Sequence, residues 1–431
     1  MWTILKTILV TLLTLEARGV VKKYHPHIVA VTGSVGKTST KDAIYAVLAA
    51  GAYVRRSEKS FNSEVGLPLT ILGVPNAWKN PLGWVQNLLD GFFLLLFNAR
   101  YPRWLVLEVG ADRPGDVKRV AVWLPVDVVV ITRLPEMPVH VEYFDSPGDV
   151  VEEKASLISS LKQDGTLVLY GDDENVENLR GRAQGKRVIT FGLSKNADVR
   201  AESVSVCLGE DGEPVGMEGR VVWGETSAPF AVKGSVGTHA LQPFLAAAAV
   251  GKALGHDLVE AVQALGAYEP PPGRMRLVPG LKETLIIDDT YNSSPAAVEA
   301  ALETLKHLPV KGRRIAVLGD MLELGRHSVE EHRKAGALAA KICDLLFTVG
   351  FRARDMAQGA LDAGMLDENI FQYEDARRAG KELEVMLKQG DVVLVKGSQS
   401  ARMERAVEEI MAEPERAAEL LVRQDPEWKK R

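Results

Sequence analysis

Apolar positions lay out the elements of this chain before any chemistry is considered. A β-branched run, Ile28 to Val31, stops at a glycine-rich turn that leads into a helix-forming stretch, which predicts a buried strand, a tight loop and a helix. Similar runs predict strands at Trp104–Glu108, Val126–Thr132, Thr166–Tyr170 and Arg187–Phe191, with a helix between Pro147 and Leu161. Strands alternating with helices argue for a mainly parallel sheet built from βαβ units. From about Asp198 to Val232 short alternating runs broken by Gly and Pro predict a small antiparallel subsheet, closed by a helix over His239–Leu254. The run Tyr-Glu-Pro-Pro-Pro-Gly, 268–273, reads as a linker. Beyond it, runs at Thr284–Asp288, Arg314–Leu318, Asp344–Val349 and Asp391–Val395, each followed by a helix, predict a Rossmann-like α/β domain. The expected divisions are an N-terminal helix (1–24), a central α/β domain (25–268), a C-terminal α/β domain (274–412) and a charged, loosely held helical tail (413–431).

Two apolar segments stand outside this alternation. Trp2, Leu5, Ile8, Leu9, Leu12 and Leu15 recur at helical spacing among the polar Thr3, Lys6, Thr7 and Thr14, an imperfectly amphipathic pattern. The stretch is too short to span a bilayer, contains Lys6 and lacks a small-residue cleavage site, so neither a transmembrane helix nor a cleaved signal is expected. Gly83 to Phe97 is more apolar and is flanked by Trp78, Lys79, Arg100, Tyr101 and Arg103 in the manner of an interfacial helix. Packing on the core would explain either segment alone; the pair points to peripheral contact with the inner face of the membrane.

Composition narrows the class without naming a function. The chain has 431 residues, 46% hydrophobic and 25% charged, which excludes a disordered or fibrous protein. With a net charge of -5 and no basic stripe interleaved with aromatics, nucleic acid is not an expected partner. Cys207 and Cys343 are far apart and suggest neither a disulfide framework nor a thiolate metal site, which fits a reducing cytoplasm.

The chemistry starts at the first loop. Between Gly33 and Gly36 the amides of Ser34 and Val35 can wrap an anion, with the positive end of the following helix, through Ser39, aimed at it. Lys37 would meet the β and γ phosphates of ATP and Thr38 a Mg2+ ion. Only two residues separate these glycines, where the common P-loop has four before its Gly-Lys pair, and Val31 occupies the place of the usual first glycine. Glu108 closes a strand and is a candidate magnesium ligand. His140 follows the strand ending at Thr132, and Lys154 lies on the next helix.

The segments TGSVGKTST, FNSEVGLPLTIL (from Phe61), LEVGADRPGDV (from Leu107), PPGRM (from Pro271), IDDTYNSSP (from Ile287), LGDMLELG (from Leu318) and DVVLVKGSQSARME (from Asp391) together resemble the Mur ligase family over roughly Ile28 to Ile410. Within it they resemble the MurF-type branch, which adds D-alanyl-D-alanine to a UDP-linked muramoyl tripeptide. The resemblance implies an ATP-binding central domain and a Rossmann-like partner domain that closes on it. It also implies a reaction in which a carboxylate is phosphorylated and the acyl phosphate is then attacked by an amine. By resemblance Lys37, Thr38, Glu108 and His140 hold ATP and two Mg2+ ions, and Lys154 matches a lysine carried as a metal-binding carbamate in several relatives. Arg274 would reach the phosphates, Asp289 the ribose and Asn292 the adenosine. Asn62, Asp320, Glu323, Lys396 and Ser398 are candidates for reading the muramoyl peptide and the incoming dipeptide.

Three departures qualify the expectation. About 27 residues precede the first strand, where the MurF type carries a whole UDP-binding domain. A substrate held at the membrane, such as a lipid-linked muropeptide, or one held weakly would fit. Ala240 and Pro243 stand where the family usually has asparagines, and the approach to His140 is proline-rich. The alternatives are another ligase of the superfamily, acting on a polyglutamate or pseudomurein-type peptide, and a catalytically silent ATP-binding scaffold.

Overall fold

The structure is a computed structural model that describes residues 2–58 and 64–429. Its first sheet contains β1 (His27–Thr32), β2 (Val54–Arg56), β3 (Trp104–Glu108), β4 (Val126–Ile131), β5 (Leu161–Tyr170), β6 (Arg187–Gly192), β7 (Val199–Leu208), β8 (Pro214–Trp223) and β9 (Thr226–Lys233). The spatial order is β2-β3-β1-β4-β5-β6-β7-β8-β9. Strands run parallel from β2 to β7, and β7, β8 and β9 are antiparallel. The antiparallel part is continuous with the rest through the pairs Phe191/Val199 and Gly192/Arg200. Central strands are covered on both faces, which is why β1 and β4 are dominated by apolar, mostly β-branched residues.

The second sheet has the order β10-β11-β15-β12-β13-β14, from β10 (Arg276–Gly280), β11 (Thr284–Asp289), β12 (Arg314–Gly319), β13 (Leu345–Val349), β14 (Ile370–Tyr373) and β15 (Val392–Lys396). It is parallel except for β10, an antiparallel edge strand that tolerates Pro279. The chain crosses between the sheets through residues 268–273. Beyond the crossing, Leu277 N donates to Gly234 O at 2.9 Å, and Ser235 bridges to Arg276.

Helices shape both the phosphate loop and the outer surface of the first domain. Helix α1 (Trp2–Tyr24) buries Leu13, Ala17, Val20 and Val21, while α2 (Lys37–Ala49) follows the glycine loop and packs on the alanine-rich helix Thr238–Ala253. Helices α3 (Gly66–Leu72) and α4 (Pro81–Leu96) lie beside α1. Among the described residues no helix is long and apolar enough to cross a membrane.

Two expectations are corrected. The helix after Pro147 ends at Ala155 and gives way to a 3-10 turn, Ser156–Ser160, and β5 starts at Leu161, well before Thr166. A register shift opposite Val126 and Val128 lets the polar stretch Lys162 to Asp164 join the strand. The tail is not loosely held. Leu420 and Leu421 are buried, and the Arg423 guanidinium is buried between Glu404, at 2.8 Å, and the carbonyls of Thr290 and Tyr291.

Candidate active site

The loop after β1 takes its shape from two glycines in the left-handed half of backbone space, Gly33 at φ 142° and Gly36 at φ 86°. A methyl group on Gly33 would fall 2.0 Å from Thr132 Oγ1. Ser34 N and Val35 N donate to Arg133 O at 2.9 and 3.4 Å, which pins the loop to the end of β4. Helix α2 starts at Lys37 with no side-chain cap, so its N-terminal amides are left to a ligand.

Lys37 Nζ donates to Gly33 O at 3.0 Å, and burial lowers its pKa against the opposing pull of Glu108. Thr38 Oγ1 donates to Glu108 Oε2 at 2.8 Å, and Arg274 Nη2, from the far side of the linker, donates to Thr38 Oγ1 at 2.9 Å. Ser39 lines the same cleft and partners the Tyr268 phenol. Lys154, at the end of its helix, is fully buried with Nζ 2.7 Å from Ser34 Oγ. Burial, and then the charge of Lys37, push its pKa well below the ordinary amine value. A neutral amine is the form that reacts with carbon dioxide.

On the opposite wall His140 Nδ1 lies 2.6 Å from Glu323 Oε2, and its Nε2 is 3.7 Å from Asp112 Oδ1. Contact with His140 holds the Glu323 carboxyl below its ordinary range. Asp289 faces Lys396 Nζ at 2.5 Å, and Lys396 also donates to Asn292 O at 3.0 Å. Asn292 Oδ1 accepts from Ser293 N, and Ser398 Oγ accepts from Leu322 N. Between the walls lies a cleft of about 850 Å³, bordered by Lys37, Thr38, Glu108, His140, Arg274, Asp289, Asn292, Glu323, Lys396 and Ser398, with Ala240 and Pro243 on its central-domain side. That volume suits a nucleotide.

Not every candidate reaches the cleft. Asp320 turns inward and accepts from Ala353 N at 2.7 Å, close under Gly350. Asn62 falls among residues 59–63, outside the described residues. Lys154 contributes through Ser34, behind the loop. Three residues were not singled out individually by the sequence pattern. Tyr291 stacks under Arg274 with the guanidinium 4.0 Å from the ring centre. Asp288, fully buried, accepts from Gly273 N and from Thr290, and burial pushes its pKa up to about 6. Trp428 brings the tail to the cleft wall. Tyr291 at least lies inside IDDTYNSSP, whereas nothing in the charged tail singles out Trp428.

The oxygen donors test the fit of magnesium. Among the described residues no group of three or more His, Cys, Asp or Glu is gathered for a metal. Thr38 and Glu108 form a two-oxygen set at the mouth of the phosphate loop, and Mg2+ typically takes one or two protein oxygens and completes its shell with phosphate and water. The residues present therefore fit the ion.

Comparison with known proteins agrees with this geometry. Residues 91–251 match the Mur ligase middle domain, and residues 273–399 match the Mur ligase glutamate ligase domain. The UDP-N-acetylmuramoyl-tripeptide--D-alanyl-D-alanine ligase of Mycobacterium tuberculosis H37Rv is 30% identical over 406 residues, covering 90% of this chain and 73% of that protein. The ligase of the same name from Bacillus subtilis is 28% identical, covering 92% and 79%. The crystal structure of MurF ligase from Thermotoga maritima in complex with ADP superposes with a TM-score of 0.75 at 27% identity, covering 93% of this chain and 83% of that one. A pseudomurein peptide ligase type C from Methanothermus fervidus, TM-score 0.63 at 19% identity, shares the fold. From its phosphate loop, its two-sheet architecture and these matches, the chain belongs to the Mur ligase family of ATP-dependent carbon–nitrogen ligases.

Proposed function

We propose that this chain joins D-alanyl-D-alanine to the terminal carboxylate of a muramoyl tripeptide in the synthesis of peptidoglycan precursors, using ATP with Mg2+. The observation that carries the reading is the link from Arg274 to Thr38, which joins the far side of the linker to the phosphate loop at 2.9 Å. Domain closure of this kind shields an acyl phosphate from water, which would otherwise hydrolyse it. The activity of the Mycobacterium and Bacillus relatives supplies the substrates.

In this reading Lys37 and Arg274 lie along the β and γ phosphates and offset charge as the phosphoryl group moves. The amides from Gly33 to Gly36 cradle the phosphates, with Ser39 behind them. Thr38 and Glu108 would hold magnesium, which when bound would neutralise phosphate oxygens, while Lys154 would support the loop through Ser34 Oγ and His140 would stand on the opposite wall with Glu323. Asp289 meets the ribose and Asn292 the adenosine. Glu323 and Ser398 stand where the incoming dipeptide would enter, while Lys396 is held by Asp289. The reaction belongs to the cytoplasmic side of the membrane, where ATP is supplied.

The test is phosphate release by purified protein with ATP, Mg2+ and D-alanyl-D-alanine. The acceptor is either UDP-muramoyl tripeptide or a lipid-linked tripeptide in detergent, and the product is read by mass. A pentapeptide product with either acceptor is expected. Phosphate release with glutamate or another amine, and none with the dipeptide, would overturn the reading.

A further inference from the structure

Helices α1 and α4 are finished on the inside and bare on the outside. Glu16 lies over Gly91, Gly19 against Leu95, and Lys23 against the end of α4, so the two helices run side by side in the same direction. Lys23 Nζ donates to the carbonyls of Leu94, Leu95 and Phe97 at 3.1, 3.0 and 2.6 Å, and the Tyr24 hydroxyl donates to Leu94 O and Phe97 O. Asn80 caps the first turn of α4, and the Asn87 amide donates to Pro75 O. These bonds hold α4 in one orientation. That orientation turns Leu82, Val85, Leu89, Phe92 and Leu96, spaced as one helical stripe, away from the protein, with Phe93 and Phe97 beside them. Leu82 is 78% exposed, Leu96 59% and Phe97 63%. On α1 the stripe Ile8, Leu12 and Leu15 is exposed as well.

The charge around these stripes says what covers them. The chain as a whole carries a net charge of -5. Yet α1 has Arg18, Lys22 and Lys23 against Glu16 alone once Lys6 is paired with Glu64 at 2.9 Å, and the segment from Trp78 to Arg103 has Lys79, Arg100 and Arg103 against Asp90 alone. Arg18, Lys22, Lys79, Arg100 and Arg103 are all exposed, and Trp78 stands exposed at the start of α4. An apolar stripe with an aromatic at its margin and cations along its rim is the pattern of a helix lying in a membrane interface; a protein partner would not require this local excess of positive charge. We propose that the outer face of α1 and α4 docks on an anionic lipid surface, with both helices lying flat on it and neither crossing.

The proposal is independent of the ligase substrate and is tested with the full chain and no nucleotide. Sucrose-loaded vesicles of phosphatidylcholine with about 30% phosphatidylglycerol, and vesicles of phosphatidylcholine alone, are sedimented with wild type and with the double variant Phe92→Glu, Leu96→Glu. A second variant, Lys22→Glu with Arg100→Glu, leaves the apolar stripe intact. Wild type is expected to partition at least ~10-fold more strongly onto anionic than neutral vesicles, with binding weakened by salt, and each variant to lose at least ~10-fold. Wild type remaining in the supernatant, or variants that bind as wild type does, would overturn the proposal. So would a wild-type dimer in sedimentation equilibrium that Phe92→Glu, Leu96→Glu converts to monomer without altering vesicle binding.

Discussion

Gly273 stands at φ 69° with its amide on Asp288 and its carbonyl taken by Tyr291 N. An added methyl group would meet Val422 Cγ1 at 2.8 Å and Tyr291 N at 3.0 Å. Gly273→Ala is therefore expected to lower stability by about 1–2 kcal/mol, measured by urea unfolding. For its neighbour Arg274 the proposed role is in the reaction instead. Arg274→Ala should leave the unfolding midpoint within error and cut phosphate release at least ~10²-fold, and unchanged turnover would remove it from the phosphate site. At this scale the phosphate loop was legible because glycine spacing, a preceding strand and a following helix all bear on the same few residues. The pair Asp288 and Asp289 was less so. Neighbours on a strand point to opposite faces, and only the register of β11 against β15 shows that Asp289 meets Lys396 while Asp288 goes under the linker.

The elements came through the pattern unevenly. Long β-branched runs buried on both faces were readable, but β2 has three residues, two of them arginine, β14 has four, and β10 carries a proline. Such short edge strands owe their existence to neighbours that no local window contains. The packing of α1 on α4 was likewise invisible, and it creates a titration. Glu16 is half-buried, with Oε2 buried against Gly91 and unpartnered, and burial pushes its pKa up to about 7. The folded state therefore keeps a proton that the unfolded chain releases above 4.5, and stability falls as pH rises from there through 7. Discounted for partial exposure, the loss between pH 6 and pH 8 is expected to be about 0.5–1 kcal/mol. Thermal unfolding at the two pH values would show it. In Glu16→Gln the difference should vanish, and a difference that persists would place the titration elsewhere.

Across the whole molecule the two domains meet through a chain of contacts that starts in the tail. Arg423 pairs with Glu404 and stacks toward Tyr291, Tyr291 lies under Arg274, and Arg274 reaches Thr38 and through it Glu108. Arg423→Ala leaves the buried Glu404 with Arg402 as its remaining cation and is expected to cost about 3 kcal/mol of stability. Calorimetry would measure that loss, and a drop of under ~1 kcal/mol would mean that the tail is not an integral part of the C-terminal domain. The contact between His140 and Glu323 closes the other side of the cleft. Glu323→Gln should enlarge the radius of gyration in small-angle scattering without changing the secondary structure, and an unchanged radius would show that closure does not depend on this pair. None of this tertiary wiring could be read from composition, since a run of Glu and Arg after residue 412 looks the same whether it is solvated or docked.

The position of Trp428 on the cleft wall bears on how the enzyme is handled. An affinity tag appended after residue 431 begins only three residues from Trp428, close enough in sequence for a flexible polyhistidine stretch to chelate added metal and crowd the entering ATP. Kinetic constants for this ligase belong to the tag-free chain, and a discrepancy between tagged and cleaved preparations would itself report on the docking of the tail.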